Sequence, residues 1–279
     1  MTVRLSLKVE FSKALALGGL LIAIAGGLSG CASGFTAPTV SGVGKADFIT
    51  DSDETDARKR ARLRLELAVV YFEQGKTTIA LDELKQSINA DSTLFEAYNL
   101  RGLIYMRLND AGLAEESFRK ALAINPRASN VLHNYGWLLC QQSRVPEAVQ
   151  MFSAAIADPN YGDRAKTWMT QGLCQMKIGK AAEAEASLVH SYELDAGNPI
   201  TGYNLALLLF NRSEFLRAQF YVRRLNNSEL ANSESLWLGI KVERRMENRE
   251  AMSQLASQLK KRFPQSKELV LYERGAFNE

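Results

Sequence analysis

From Ala61 to the C-terminus, apolar residues recur at helical spacing, and the whole pattern repeats about every 34 residues. The clearest unit begins at Phe95 and combines small and aromatic residues at fixed places. Places 4, 8, 11, 20, 24, 27 and 32 of this unit hold Tyr98, Gly102, Tyr105, Ala114, Phe118, Ala121 and Pro126. Small residues at places 8 and 20 allow the two helices of a hairpin to approach closely, aromatic residues fill the space between hairpins, and proline ends the second helix. The pattern therefore predicts a helix–turn–helix hairpin.

The same register predicts six such units along the chain. They cover about 61–94, 95–128, 129–162, 165–198, 199–231 and 232–266. Two extra residues lie in the join between the third and fourth units, and the weak sixth unit also fits an ordinary helical pair. A 34-residue period with these residues matches the tetratricopeptide repeat (TPR). We expect an all-α, right-handed superhelical TPR solenoid of six helix–turn–helix repeats, with a C-terminal capping helix that covers the last apolar face.

The first thirty residues have the features of a targeting segment. Arg4, Lys8 and Lys13 precede an apolar stretch that runs from Ala14 to about Leu28. A membrane-spanning helix needs about 20 apolar residues, so this stretch is short for a permanent anchor and typical of a signal peptide.

The apolar stretch ends in residues 28–31 (LSGC), which resemble the lipobox of bacterial lipoproteins. The resemblance implies that residues 1–30 are a lipoprotein signal peptide and that Cys31 becomes the lipidated, palmitate-bearing N-terminus. The next residue, Ala32, is not the aspartate associated with inner-membrane retention. This favours a lipid-anchored location on the periplasmic face of the outer membrane. The alternatives are an uncleaved signal anchor and a chance cysteine after a signal peptide.

Residues 31–56 are rich in Gly, Ser, Thr, Pro and Asp and show no helical period. They predict a lipidated, flexible tether whose ends lie roughly 25–30 Å apart on average. The TPR domain follows at 57–279. An ordered extension packed on that domain is the alternative to a flexible tether.

In TPR solenoids the first helix of each unit lines a concave groove. The apolar and aromatic residues that we expect to line it for a partner, here called the groove residues, are Leu65, Val69, Phe72, Leu103, Met106, Trp137, Tyr203 and Phe210. Such a surface suits an amphipathic helix or an extended peptide. The alternative is that these places pack between neighbouring first helices.

The charge balance excludes one class of partner and leaves one local feature open. The chain has 34 basic and 31 acidic residues, a net charge of +3, which gives no field for binding nucleic acid. A basic run at 58–64 is either a solvated face of the first helix or a contact for acidic lipid headgroups or an acidic partner.

Residues for catalysis or metal binding are scarce. The two histidines, His133 and His190, fall in different units, and neither has metal-ligand spacing to another His or Cys. The sequence has no phosphate-binding glycine loop and no nucleophile elbow. We therefore expect no enzyme activity, no metal, no cofactor and no small-molecule substrate, and a packed or hydrogen-bonded role for each histidine.

Cys140 and Cys174 are the cysteines that remain once Cys31 is lipidated. They lie on the first helices of adjacent units, which pack side by side. A Cα separation below about 7 Å is compatible with this placement, and an exported chain with paired cysteines favours a disulfide. Two free, buried thiols are the alternative.

The lipobox, the short linker and the six TPR units together resemble the PilF/PilW family of type IV pilus biogenesis lipoproteins, the secretin pilotins. The segments most similar to that family are 134–140 (NYGWLLC), 157–161 (ADPNY), 234–240 (ESLWLGI) and 259–266 (LKKRFPQS). The resemblance implies a non-enzymatic outer-membrane lipoprotein. Its partners would be the pilus secretin subunit, whose outer-membrane localisation and multimerisation it would promote, and the membrane that holds its lipid.

Two alternatives to the pilotin stay open at this point. One is another outer-membrane TPR lipoprotein that serves as a scaffold for barrel assembly or envelope maintenance. The other is an enzyme class, such as a cell-wall hydrolase or its activator, for which the sequence offers no acid–base pair.

Overall fold

The computed structural model describes residues 54–278, so the predicted signal peptide, Cys31 and the tether as far as residue 53 lie outside the described residues. Within 54–278 the chain forms thirteen α-helices and no β-strand. The helices are α1 (Asp56–Glu73), α2 (Thr77–Ala90), α3 (Phe95–Arg107), α4 (Ala111–Ile124), α5 (Ser129–Gln141), α6 (Val145–Ile156), α7 (Arg164–Lys177), α8 (Ala181–Leu194), α9 (Pro199–Asn211), α10 (Phe215–Asn226), α11 (Ser233–Arg245), α12 (Arg249–Arg262) and α13 (Lys267–Glu273).

Consecutive helices pack as six pairs, from α1 with α2 to α11 with α12, and the second helix of each pair contacts the first helix of the next. This is the predicted sequence of stacked hairpins. The first helix begins at Asp56, ahead of the predicted unit at Ala61. The Thr55 side chain caps it there, because its Oγ1 accepts a hydrogen bond of 3.2 Å from the Arg58 N–H.

One residue with left-handed backbone geometry follows the first helix of every pair. These residues, with φ between 58° and 76°, are Gly75, Asn109, Ser143, Gly179, Ser213 and Glu247. In the first turn, the Gly75 N–H donates to the Phe72 carbonyl at 3.0 Å, and the Lys76 N–H donates to the Tyr71 carbonyl at 2.9 Å. These bonds satisfy carbonyls that the end of a helix leaves free. Because only two of the six are glycine, hairpin geometry rather than residue type fixes this conformation.

Glycine at place 8 lets the two helices of a hairpin come together. A Cβ on Gly102 would lie 2.6 Å from the Phe118 ring, and one on Gly136 would lie 2.7 Å from the Phe152 ring. Both phenylalanines are fully buried. The place-24 ring therefore fills space inside its own hairpin, and the Phe118 ring also contacts the Tyr135 ring of the next hairpin, with centroids 6.1 Å apart.

The C-terminal end of the helix stack is covered. Helix α13 packs on α11 and α12 and buries Leu269. Beyond it, the Phe277 ring stacks on the Trp237 ring with centroids 5.3 Å apart. The predicted C-terminal capping helix is therefore present. No helix within residues 54–278 is both long enough and apolar enough to cross a bilayer.

Candidate partner-binding groove

All eight groove residues lie on the first helices of their pairs, and each is partly exposed. They come from α1 (Leu65, Val69, Phe72), α3 (Leu103, Met106), α5 (Trp137) and α9 (Tyr203, Phe210). All except Val69 pack on one side against a buried core cluster. The core thus holds these side chains in place while part of each apolar surface stays accessible to a partner.

Three of the four rings among the groove residues, those of Phe72, Trp137 and Phe210, carry cations on their faces. The Arg107 guanidinium lies 4.0 Å from the centroid of the Phe72 ring and also donates a 2.8 Å hydrogen bond to the Phe72 carbonyl. The Lys177 ammonium lies 5.3 Å from the Trp137 ring centroid. In both pairs the ring and the cation come from different hairpins. A cation over an aromatic face is attracted by the ring quadrupole.

Cations also lie over aromatic rings at the C-terminal end of the groove. The Lys241 ammonium lies 5.6 Å from the ring centroids of both Phe210 and Trp237. The Arg245 guanidinium lies 4.5 Å from the Phe215 ring centroid, which in turn is 5.6 Å from the Phe210 ring. These side chains combine apolar surface with positive charge.

Sequence reasoning missed these cations because the rings of Phe72, Trp137 and Phe210 are each covered by a cation from another hairpin. A signal was nevertheless present in the register. Place 13 is basic in the second, fourth and sixth units, where it holds Arg107, Lys177 and Arg244. Basic side chains therefore accompany the groove residues in three of the six units.

The apolar character of the groove does not extend evenly through the sixth hairpin. Ile240 and Glu243 occupy the same places in the sixth unit as the groove residues Leu103 and Met106 in the second, but both are fully buried. The Glu243 carboxylate accepts hydrogen bonds from Arg223 at 2.7 and 3.1 Å and from Gln219 at 2.9 and 3.1 Å. Both partners lie on α10, so Glu243 serves as a structural link between hairpins and faces no ligand.

A disulfide joins Cys140 on α5 to Cys174 on α7, with a Cα separation of 5.8 Å. Both cysteines are buried. The bond links the third hairpin to the fourth, across the join that carries the extra residues. Cys140 occupies the same place in the third unit as the groove residue Met106 in the second, but it is buried and offers no surface to a partner.

The two histidines have separate environments. The His133 ring is buried, and its Nδ1 lies 2.8 Å from the Thr167 hydroxyl. Burial, with a smaller effect from the charge of Lys166, lowers the pKa of His133 from 6.5 to about 4. His190 is exposed, lies 3.2 Å from a carboxylate oxygen of Glu193 and packs its ring on Trp168. Residues 54–278 contain no cluster of His, Cys, Asp and Glu suited to a metal ion.

Most of the basic run at 58–64 is engaged within the chain. Arg58 pairs with Asp91 at 2.9 Å, and Arg64 pairs with Glu83 at 2.9 Å. Arg62 likewise pairs with a carboxylate that precedes α1. These contacts agree with the interpretation of the run as a solvated helix face.

Helix α1 instead exposes an apolar stripe that sequence reasoning missed. Leu63, Leu67 and Val70 recur at helical spacing and are 61%, 43% and 48% exposed. The residues of the second hairpin that correspond to Leu63 and Val70 are Ala97 and Ile104, and both are fully buried. The stripe is exposed because no described helix precedes α1, and the register comparison could have revealed it.

Two tetratricopeptide repeat family models match the middle of the chain, at residues 95–127 and 117–150. Together with the stacked hairpins, they confirm the predicted TPR fold.

Longer comparisons point to one group of proteins. Over 249 residues the chain is 28% identical to the type IV pilus assembly protein PilF of Pseudomonas aeruginosa. The matched region covers 89% of this chain and 94% of PilF. A solved structure of P. aeruginosa PilF matches with a TM-score of 0.70 and 27% identity, over 79% of this chain and 100% of that chain. The crystal structure of PilW, a widely conserved type IV pilus biogenesis factor, matches with a TM-score of 0.66 and 28% identity. This match covers 76% of this chain and 97% of the PilW chain. The predicted resemblance to PilF and PilW is confirmed.

Proposed function

We propose that this chain, a homologue of PilF and a TPR protein of the type IV pilus biogenesis family, binds the pilus secretin subunit and promotes its outer-membrane localisation and multimerisation. The observation that carries the proposal is the extent of the match to PilF, which includes 94% of that protein. A match confined to generic repeats would indicate only a TPR fold. A match over the whole length favours a shared role.

The groove supports a role in binding another protein. Phe72, Trp137 and Phe210 present half-buried rings on three different hairpins, at helical surfaces anchored to the core. A rigid aromatic surface of this kind supplies contact area with little loss of side-chain entropy on binding. The secretin segment would lie across the first helices as an amphipathic helix or an extended strand.

The lipobox-like sequence supports the proposed location. Processing at residues 28–31 would leave a lipidated Cys31 at the start of the mature chain. A multiply acylated residue holds a protein stably on a membrane, whereas one chain does so only marginally. Ala32 favours the outer membrane over the inner one. The tether would let the TPR domain reach secretin subunits at the periplasmic face.

We further propose that the role is that of a non-enzymatic scaffold. The buried His133 has a hydroxyl partner and the exposed His190 a carboxylate partner, and each has a structural explanation. The polar side chains that the groove does gather are cations over rings, an arrangement suited to recognition of a partner.

A deletion strain complemented with groove variants tests the proposal. The expected result is loss of surface pili and of secretin multimers, with outer-membrane barrel proteins at normal levels. Complementation with the wild-type gene and with Phe220→Glu should restore both, because Phe220 is 59% exposed and outside the groove. Complementation with Phe72→Glu should fail. General envelope defects with normal secretin multimers would overturn the proposal and favour a barrel-assembly or envelope scaffold.

A further inference from the structure

The C-terminal end of the groove opens into a cleft of about 390 Å³. Lys241, Arg244 and Arg245 line it together with the rings of Phe210 and Phe277. Among the described residues, Glu247 is the one acidic side chain in its lining, against three basic ones. Phe210 belongs to both the groove and the cleft, which makes the two surfaces continuous.

The two arginines are available to an anionic ligand. Within residues 54–278, neither the Arg244 nor the Arg245 guanidinium forms an ion pair or a side-chain hydrogen bond. Each instead lies over an aromatic face, with Arg244 3.8 Å from the Phe277 ring centroid and Arg245 4.5 Å from the Phe215 ring centroid. Contact with a ring face holds the guanidinium plane while its N–H edge remains free to meet a carboxylate in a bidentate pair.

Lys241 adds a third positive charge in a less hydrated position. Its side chain is partly buried beside Phe210 and Trp237, and burial lowers the pKa of its ammonium. Lys241 lines the same cleft as Arg244 and Arg245, so its ammonium adds to the positive charge that surrounds a ligand there.

The positive charge extends along the groove beyond the cleft. Arg107 and Lys177 occupy the same place in their units as Arg244 and lie over the groove rings of Phe72 and Trp137. Such spacing suits several carboxylates distributed along one segment better than one terminal carboxylate. The aromatic faces between the cations suit apolar residues in the same segment.

We propose that the C-terminal cleft binds an acidic peptide segment of the partner protein, whose Asp or Glu carboxylates accept hydrogen bonds from Arg244 and Arg245 while a neighbouring apolar side chain packs on Phe210. This inference rests on the proposed function, because it defines the chemistry of the partner segment that enters the groove. The segment is an internal one with alternating acidic and apolar residues.

Fluorescence anisotropy on the full chain in detergent tests the inference. The probe is a labelled peptide of alternating Glu and Leu, blocked at both ends, and the matched peptide has Gln in place of every Glu. The Glu peptide should bind, and the Gln peptide should bind at least about tenfold more weakly, because charge-assisted hydrogen bonds would be lost. Added salt should weaken binding of the Glu peptide.

Two double variants with the same loss of charge separate the site from the overall field. Arg244→Gln with Arg245→Gln should weaken binding of the Glu peptide by about tenfold or more. Lys59→Gln with Arg60→Gln, on exposed positions of α1, should leave it unchanged. Equal binding of both peptides, or equal loss in both double variants, would overturn the inference. If Arg244→Gln with Arg245→Gln loses binding to anionic lipid vesicles but keeps its binding to the Glu peptide, the inference is also overturned, in favour of a lipid site.

Secretin fragments distinguish this inference from the proposed function. If they bind the wild-type chain and the Arg244→Gln, Arg245→Gln variant equally well but not Phe72→Glu, the cleft proposal is wrong and the secretin proposal stands. If the Glu peptide binds through the two arginines and no secretin fragment binds, the cleft has its proposed chemistry and the secretin is the wrong partner.

Discussion

The Arg107 guanidinium covers the Phe72 ring at 4.0 Å and donates a hydrogen bond to the carbonyl of the same residue, although the two residues belong to successive hairpins. The Arg107 side chain thus caps a carbonyl in the last turn of α1, covers a groove ring and links the first repeat to the second. The bond to a helix-terminal carbonyl also places positive charge at the negative end of the α1 dipole. The groove is therefore built from contacts between neighbouring repeats.

Close approach of the paired helices should make Gly102 intolerant of any side chain. We expect Gly102→Ala to lower the free energy of unfolding by about 1–3 kcal/mol, because the new Cβ would lie 2.6 Å from the buried Phe118 ring. Gly202→Ala is the matched control in another helix interior, where a Cβ meets no atom within 4 Å. It should stabilise the chain by about 0.5–1 kcal/mol through helix propensity. Urea denaturation measures both, and a destabilisation shared by the two variants would contradict this account.

The disulfide should contribute to stability. Cys140 and Cys174 close a loop with a sequence separation of 34, which the chain-entropy model values at about 3–4 kcal/mol. Reduction, or replacement of both residues by alanine, should therefore lower the thermal unfolding midpoint by similar amounts. Thiol titration of unfolded, unreduced Cys31→Ser protein made in the periplasm should detect no thiol. Detection of two thiols would show that the bond does not form there.

Stability should decrease between neutral and mildly acidic pH because of His133. Its pKa falls from 6.5 in the unfolded chain to about 4 in the fold, so the unfolded state binds more protons between these values. The free energy of unfolding should fall as pH drops through this window, by up to about 1.4 kcal/mol per pH unit from this group.

The variant His133→Gln isolates that contribution. It should remove most of the pH dependence between pH 6.5 and 5 while leaving an amide to meet the Thr167 hydroxyl. His190→Gln is the control, because that ring is exposed. An unchanged pH dependence in His133→Gln, measured by urea denaturation across this range, would show that another group is responsible.

The proposed anchor depends on a single residue. We expect Cys31→Ser to yield a folded protein that no longer sediments with outer membranes, because the lipid would have no attachment site. Membrane fractionation with immunodetection measures this, and circular dichroism checks the fold. A variant that still sediments with outer membranes in a strain lacking the secretin would show that the anchor lies elsewhere.

The sequence was sufficient to predict the hairpins, their register and their number because repeat stacking follows from local spacing. Gly102 and Gly136 could be identified as close contacts from their place alone. The left-handed turn residues Asn109 and Glu247 could not, since neither residue type requires that conformation.

The candidate site was less predictable because it depends on side chains from different hairpins. The ring of Phe72 was predicted to face the groove, but the cation above it comes from the next repeat. Glu243 occupies the repeat place of the groove residue Met106, yet it is buried, and Arg223 and Gln219 supply hydrogen bonds that the register does not reveal. Long-range polar contacts of this kind have no periodic signal in the sequence.

The most direct test of the central claim is the affinity of purified secretin fragments for the wild-type chain, Phe72→Glu and Phe220→Glu, measured by calorimetry. Phe72 lies in the groove, whereas Phe220 is an exposed phenylalanine on α10 outside it, so both variants add one charge at an aromatic position. We predict that the wild-type chain and Phe220→Glu bind one secretin fragment with equal affinity and that Phe72→Glu, still folded, binds it at least about thirtyfold more weakly, as expected for a central aromatic contact. Equal binding by all three proteins, or the absence of binding to any secretin fragment, would contradict the claim.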